Sequence, residues 1–122
     1  MFSESKISGK HMICDIKNIT NIELLNNLDK IKELLDIICK NNDFAVLEKV
    51  DYLFHPQGLT ILYLLSESHI SIHTFTEKKY IAFDLYTCRE YNNNNAYDNI
   101  YKFLIGSFGA KYEKPLIIDR RF

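Results

Sequence analysis

The sequence predicts a two-layer α+β fold, a mainly antiparallel β-sheet covered on one face by two helices. Two segments repeat apolar residues with a helical period, and several strand-length runs alternate in polarity or are apolar throughout. The runs in the middle of the chain are joined by connections too short for parallel crossovers. With 122 residues, nearly half of them apolar, the chain can bury one core, so residues 1–122 are expected to form a single domain.

His11 to Ile16 reads as a first strand. Thr20 then opens a helix as N-cap, with Glu23 completing a capping-box pattern, and the helix is expected to run to about Lys40. Leu24, Leu28, Ile31, Leu35 and Ile38 form its apolar stripe, and Asn41-Asn42 ends it. Phe44 to Phe54 is a second strand, Pro56-Gln57-Gly58 a turn, and Leu59 to Leu65 a buried strand. Ile70 to Phe75 and Ile81 to Cys88 alternate around a Thr76 to Lys79 hairpin loop. Ile70, Ile72, Ile81, Phe83 and Leu85 lie on one face, while Ser71, His73, Asp84 and Cys88 lie on the other. Asn92 to Asn95 is a polar loop, and Ala96 to Ile105 a second helix ending at Gly106. Ala110 to Ile118 supplies a last strand, which Pro115 assigns to a sheet edge. The order abbreviates to βαβββαβ.

Charge narrows the function classes. Lys and Arg number 15 against 16 Asp and Glu, mixed along the chain, so no basic stripe offers a nucleic acid its phosphate contacts. Cys14, Cys39 and Cys88 are odd in number and contain no CxxC pair, which fits a reducing, cytoplasmic setting rather than a disulfide framework. Met1 to Lys10 is polar and lacks a signal-peptide core, and no apolar run is long enough to span a bilayer, so a membrane is not an expected partner. His55, His69 and Asp84 have no spacing that argues for a metal site, and no metal is expected.

The run Leu65-Ser66-Glu67-Ser68-His69 places a short polar interruption between two stiff strands, where a strained peptide bond could be held near attack geometry. Around it lie Glu67-Ser68-His69-x-Ser71-Ile72-His73-Thr74-Phe75-x-Glu77 and Asp84-Leu85-x-Thr87-Cys88. Gly9-Lys10-His11 stands at the front and Phe54-x-Pro56-x-Gly58-x-Thr60 in the middle. In order and spacing these segments resemble the short prokaryotic, pyruvoyl-dependent S-adenosylmethionine decarboxylases over nearly the whole chain.

The resemblance implies self-cleavage between Glu67 and Ser68 into residues 1–67 (β chain) and 68–122 (α chain), with Ser68 becoming a pyruvoyl cofactor. That keto group would form a Schiff base with the amine of S-adenosylmethionine and accept electrons as carbon dioxide leaves, giving the aminopropyl donor for spermidine synthesis. By the same resemblance His73 is the processing base, Thr60 its support in place of the usual serine, and Cys88 the proton donor. Phe54 would stack on adenine and Glu77 would hold the ribose hydroxyls. An imidazole and a thiol suit proton transfer near neutral pH.

Spacing adds a constraint. Pairing through the Thr76 to Lys79 turn sets Ile72 opposite Phe83 and brings Cys88 beside the Glu67-Ser68 junction. His73, five residues along the strand, is roughly 16 Å from Ser68 and groups with Thr60 instead. A two-fold homodimer follows as the expectation, each site drawing Ser68 and Cys88 from one chain and Thr60 and His73 from the other, in agreement with the family's dimers. The chain departs from the family pattern at Phe75-Thr76, where Trp-Pro is common, and at Arg89, where glycine is common. The first departure predicts a looser loop before Glu77, and the second places a cation close to the site, able to pair with a substrate carboxylate. Arginine or ornithine remain alternative substrates, and an uncleaved regulatory homologue is a third reading.

Overall fold

In the computed structural model, residues 6–122 are described, so Met1–Ser5 of the polar N-terminal stretch lie outside the described residues. The chain forms β1 (Ile7–Ile16), a 3-10 turn (Ile22–Asn26), α1 (Leu28–Asn41), β2 (Val46–Leu53), β3 (Leu59–Leu65) and β4 (Ser68–Phe75). A second 3-10 turn (Thr76–Lys78), β5 (Tyr80–Thr87), α2 (Asn95–Phe108) and β6 (Leu116–Arg121) complete it. The six strands make one sheet in the order β2-β3-β4-β5-β1-β6, every neighbouring pair antiparallel. The connectivity is therefore βαββββαβ. Four strands lie between the helices, matching the four named one by one from the sequence; the abbreviated order βαβββαβ is one strand short. Among the described residues no helix is long and apolar enough to cross a membrane.

Alternation divides the sheet into an apolar and a functional face. Met12, Ile61, Ile72, Phe83 and Leu85 are at most 2% exposed and pack beneath the helices. Their neighbours in sequence point to the opposite, uncovered face. The expected register is present: Ile72 pairs with Phe83, Ile70 with Leu85, and Thr60 with His73.

Both helices and the last strand differ from the sequence expectation at their ends. Thr20 does not cap α1, because its hydroxyl donates to the Gly109 carbonyl at 2.7 Å. Asn27 is the cap instead, its side chain accepting from the Lys30 amide at 3.1 Å, and residues 22–26 form the 3-10 turn. Ile31, Leu35 and Ile38 of the expected stripe are buried. α2 passes through Gly106 to Phe108, since burial of Leu104, Ile105 and Phe108 outweighs the roughly 1 kcal/mol cost of an internal glycine. Gly109 caps it at φ +67, a conformation that favours glycine. β6 starts at Leu116, after Pro115, rather than at Ala110. The Glu113 amide donates to the Tyr101 hydroxyl at 3.0 Å instead of to a strand, and β6 lies at the sheet edge.

Polar ties lock α1 onto the hairpin that leads to the site. The Tyr63 hydroxyl, at the end of a ring otherwise buried in β3, donates to Asp36 at 2.7 Å, and Lys49 donates to the same carboxylate oxygen at 2.9 Å. Lys32 reaches Asp51 at 2.8 Å. Tyr63→Phe leaves the ring and removes the hydroxyl, so it should lower the unfolding free energy by about 1–2 kcal/mol in urea titration. An unchanged midpoint would show that the Asp36 bond contributes nothing net.

Candidate active site

The Glu67-Ser68 junction lies in a two-residue turn between β3 and β4. Leu65 pairs with Ser68 across it, and the Ser66 amide donates to the Ala45 carbonyl at 2.9 Å, which pins the turn from outside. Glu67 takes φ +60, the left-handed region that a residue with a Cβ adopts at a cost. The Cys88 thiol donates to the Glu67 carbonyl oxygen at 2.9 Å, as the hairpin register predicts. Its sulfur is also 3.7 Å from the Tyr86 hydroxyl. Gly9 allows this end of the sheet to close, because a Cβ there would run into the Thr87 carbonyl just before Cys88.

The other sequence-predicted residues gather at the far end of β4. Thr60 Oγ1 and His73 Nδ1 are 2.9 Å apart. A cleft of about 300 Å³ is lined by Phe54, Gln57, Thr60, His73, Phe75 and Glu77. This is near the lower bound for a small-molecule site, as a half-walled cleft would be. Ser68 and His73 occupy opposite ends of the strand, and His73 has Thr60 as its hydrogen-bond partner. A slightly larger cleft of about 360 Å³, lined by Asp15, Lys17, Thr20 and Glu113 among others, contains none of these residues.

The loop before Glu77 is tethered despite lacking proline. Asn26 Oδ1 accepts from the Thr76 hydroxyl at 2.9 Å and from the Gly58 amide at 2.8 Å, so one amide group holds both lips of the cleft. Gln57 Nε2 donates to Glu77 Oε2 at 3.2 Å. Sequence patterns identified neither Asn26 nor Gln57, since each acts on a residue at least 20 positions away.

Arg89 does not face the site. Its guanidinium donates to the carbonyls of Asn42 (2.9 Å) and Asp43 and lies over the Phe44 ring at 5.1 Å. The carbonyls left open after α1 draw the cation away from any substrate carboxylate.

A polar hub also lies on the uncovered face. Asp84 accepts from the Ser71 hydroxyl through Oδ1, and through Oδ2 from His11 Nε2 (2.5 Å) and His69 Nε2 (3.2 Å). These three residues, His11, His69 and Asp84, are the one group among the described residues whose donor atoms lie close enough to hold a metal. However, the Arg120 guanidinium lies 3.1 Å from His11 Nδ1 and can only donate, so that nitrogen accepts and the ring proton is on Nε2, directed at Asp84. The hub is thus closed by its own protons. His69 follows Ser68 directly and Asp84 lies four residues before Cys88 on β5, but His11 reaches them only through the β1–β5 pairing.

The S-adenosylmethionine decarboxylase family model matches residues 10–121. The chain belongs to the S-adenosylmethionine decarboxylase family. It is 39% identical to the S-adenosylmethionine decarboxylase proenzyme of Clostridium botulinum (strain Hall) over 83 residues, 68% of this chain and 71% of the relative. Over 116 residues it is 32% identical to the proenzyme of a Hydrogenobaculum species, covering 95% of this chain and 84% of the other. The crystal structure of the Aquifex aeolicus adenosylmethionine decarboxylase superposes with a TM-score of 0.82 at 27% identity, over 97% of this chain and 94% of that one. In this decarboxylase-family chain the Phe75-Thr76 segment before Glu77 is held by the Asn26 tether.

The three cysteines of this decarboxylase-family chain are free and differ in burial. Burial pushes the Cys14 thiol up to about 12 and the Cys39 thiol to about 11, with Cys39 3% exposed, while Cys88 is half-buried. Native iodoacetamide labelling followed by peptide mass analysis should modify Cys88 alone. Label on Cys14 or Cys39 would contradict the packing. Asp84 makes a second prediction. Burial would raise its pKa, but the hydrogen bonds from Ser71, His11 and His69 outweigh it and hold the carboxyl below its ordinary 3.8. The stability it contributes is complete above that ordinary value and is lost as pH falls through the depressed one. Urea midpoints of wild type and Asp84→Asn should therefore differ above the ordinary 3.8 and converge as pH falls below it, through the depressed value. Parallel curves would exclude the carboxylate as the source.

Proposed function

We propose that this chain is a self-processing S-adenosylmethionine decarboxylase that derives a pyruvoyl group from Ser68 and makes the aminopropyl donor used in spermidine synthesis. The observation that carries the reading is the 2.9 Å contact from the Cys88 thiol to the Glu67 carbonyl oxygen, at a residue held in a left-handed turn. In cleavage the Ser68 hydroxyl oxygen bonds to the Glu67 carbonyl carbon, and negative charge develops on the oxygen that Cys88 already contacts. The C–N bond then breaks, the nitrogen keeps the hydroxyl proton, and an ester replaces the amide. A base removes the Ser68 α-proton, the Cβ–Oγ bond breaks, and Glu67 departs as a carboxylate. Water then displaces ammonia from the dehydroalanine to give the ketone. These residues fit the group, because the serine that becomes it and the thiol that serves it adjoin one peptide bond.

The keto group, once formed, supplies an electrophile for the substrate amine and an electron sink during loss of carbon dioxide. Cys88 then returns a proton to the substrate carbon. For His73 to accept a proton at Nε2, its Nδ1 must carry the ring hydrogen and donate it to Thr60 Oγ1, a role that threonine fills as serine would. Phe54 offers a flat face for adenine, and Glu77, steadied by Gln57, accepts the ribose hydroxyls.

The two halves meet in a homodimer. The uncovered face carries Val50, Tyr52, Leu62, Leu64, Leu116 and Ile118, each 37–62% exposed, more apolar surface than a lone sheet face usually leaves open. The cross-strand row Val50, Leu62, Ser71, Asp84, Ile13, Leu116 runs midway between the two half-sites. A two-fold axis along that row, with two such faces packed together, would set the Thr60–His73 end of one chain over the Glu67–Ser68 end of the other. A reducing cytoplasm suits the free Cys88.

Denaturing intact mass should show two fragments divided between residues 67 and 68, and Ser68→Ala should stay whole. A wild-type chain that remains uncut after prolonged incubation at neutral pH would sink the proposal. Carbon dioxide release should follow S-adenosylmethionine and not arginine or ornithine. Mixing Ser68→Ala with His73→Ala chains should restore one working site per heterodimer, and confirmed mixing without recovery would exclude the shared site.

A further inference from the structure

We infer that Asp84 is a positioning residue for the new terminus: it holds His69, and through His69 keeps residue 68 beside Cys88 after the 67–68 bond is cut. The inference rests on the self-cleavage proposed above and concerns what happens next. Cutting removes the covalent link from residue 68 to Glu67. Conversion to a ketone also expels the backbone nitrogen of residue 68 as ammonia, so its N–H can no longer serve the sheet. His69 becomes the first residue of the fragment with a complete backbone, and a strand end with one such anchor is prone to fray.

The side chain of His69 supplies what the backbone loses. It donates to Asp84 at 3.2 Å and stacks on Tyr86, ring centroids 6.0 Å apart at 28°. Asp84 is immobilised in turn by Ser71 and by His11, and His11 by Arg120. The anchor thus draws on β1, β5 and β6, whose ends cleavage leaves untouched, and on Ser71, three residues inside β4 from the cut. Asp84, Tyr86 and Cys88 lie on one face of β5 and its end, and the Tyr86 hydroxyl reaches the Cys88 sulfur at 3.7 Å. The tether and the thiol are therefore carried by one rigid segment, which registers residue 68 against Cys88. Proximity of this kind governs rate steeply, since small displacements of a reacting group cost orders of magnitude.

The test compares Asp84→Ala with His69→Phe, which keeps a ring against Tyr86 but lacks the donor. Both should still cleave. In the cleaved variants, amide hydrogen exchange at residues 69–71 should rise about tenfold over cleaved wild type while the other strands stay protected. The kcat for decarboxylation should fall about tenfold with KM little changed. In an uncleaved Ser68→Ala background, Asp84→Ala should leave exchange at 69–71 unaltered, because the chain still ties the strand. Equal protection in cleaved variants and cleaved wild type would overturn the inference, as would the same loss of protection before and after cleavage. Loss of cleavage in both variants would place the role before the cut and also overturn it. An uncut wild-type chain would instead sink the proposed function itself.

Discussion

The antiparallel register of β3, β4 and β5 is the constraint on which the other features depend. It is set at one end by the tight Ser66–Glu67 turn and at the other by the Thr76–Lys78 turn, so the length of β4 is fixed between two closures. Strand periodicity then leaves no freedom: a slip of one residue would bury His73 and expose Ile72. The same register that places Cys88 on the Glu67 carbonyl keeps His73 at the opposite end of β4. Separation of the Cys88–Glu67 contact from the Thr60–His73 pair is a direct product of correct folding.

The apolar layer sustains this arrangement because it is one-sided. Helices α1 and α2 cover only the face of Met12, Ile72 and Phe83, which leaves the other face free to carry hydroxyls, imidazoles and carboxylates. Polar groups there are satisfied by one another; among the described residues no buried side-chain nitrogen or oxygen lacks a partner. A network so closed resists rearrangement, since moving one member strands the rest. Arg89 extends the effect across the layers by joining the segment after Cys88 to the carbonyls that follow α1.

The central strands and the Cys88–Glu67 contact were readable from the chain because both follow from local counting: period two, a short turn, and paired positions. Element ends were not, since distant contacts decide them. Thr20 looks like a cap until Gly109 claims its hydroxyl, and Gly106 looks like a stop until Phe108 is buried. The Asp84 hub was hidden for a similar reason. Its members come from separate strands, and the β1–β5 pairing that joins His11 to the rest leaves no spacing signature. Arg89 was misplaced because a cation next to a site in sequence is directed by carbonyls it meets only in three dimensions.

Asn26 has a consequence for how two chains would come together. A single side-chain oxygen accepts from both the Gly58 amide and the Thr76 hydroxyl, so the loops bearing Phe54 and Glu77 cannot drift apart independently. The cleft between Phe54 and Glu77 is thereby a stiff mould on an isolated chain, its entropy already spent during folding. Association would be the docking of finished parts rather than folding on contact, and its cost would fall on orientation alone.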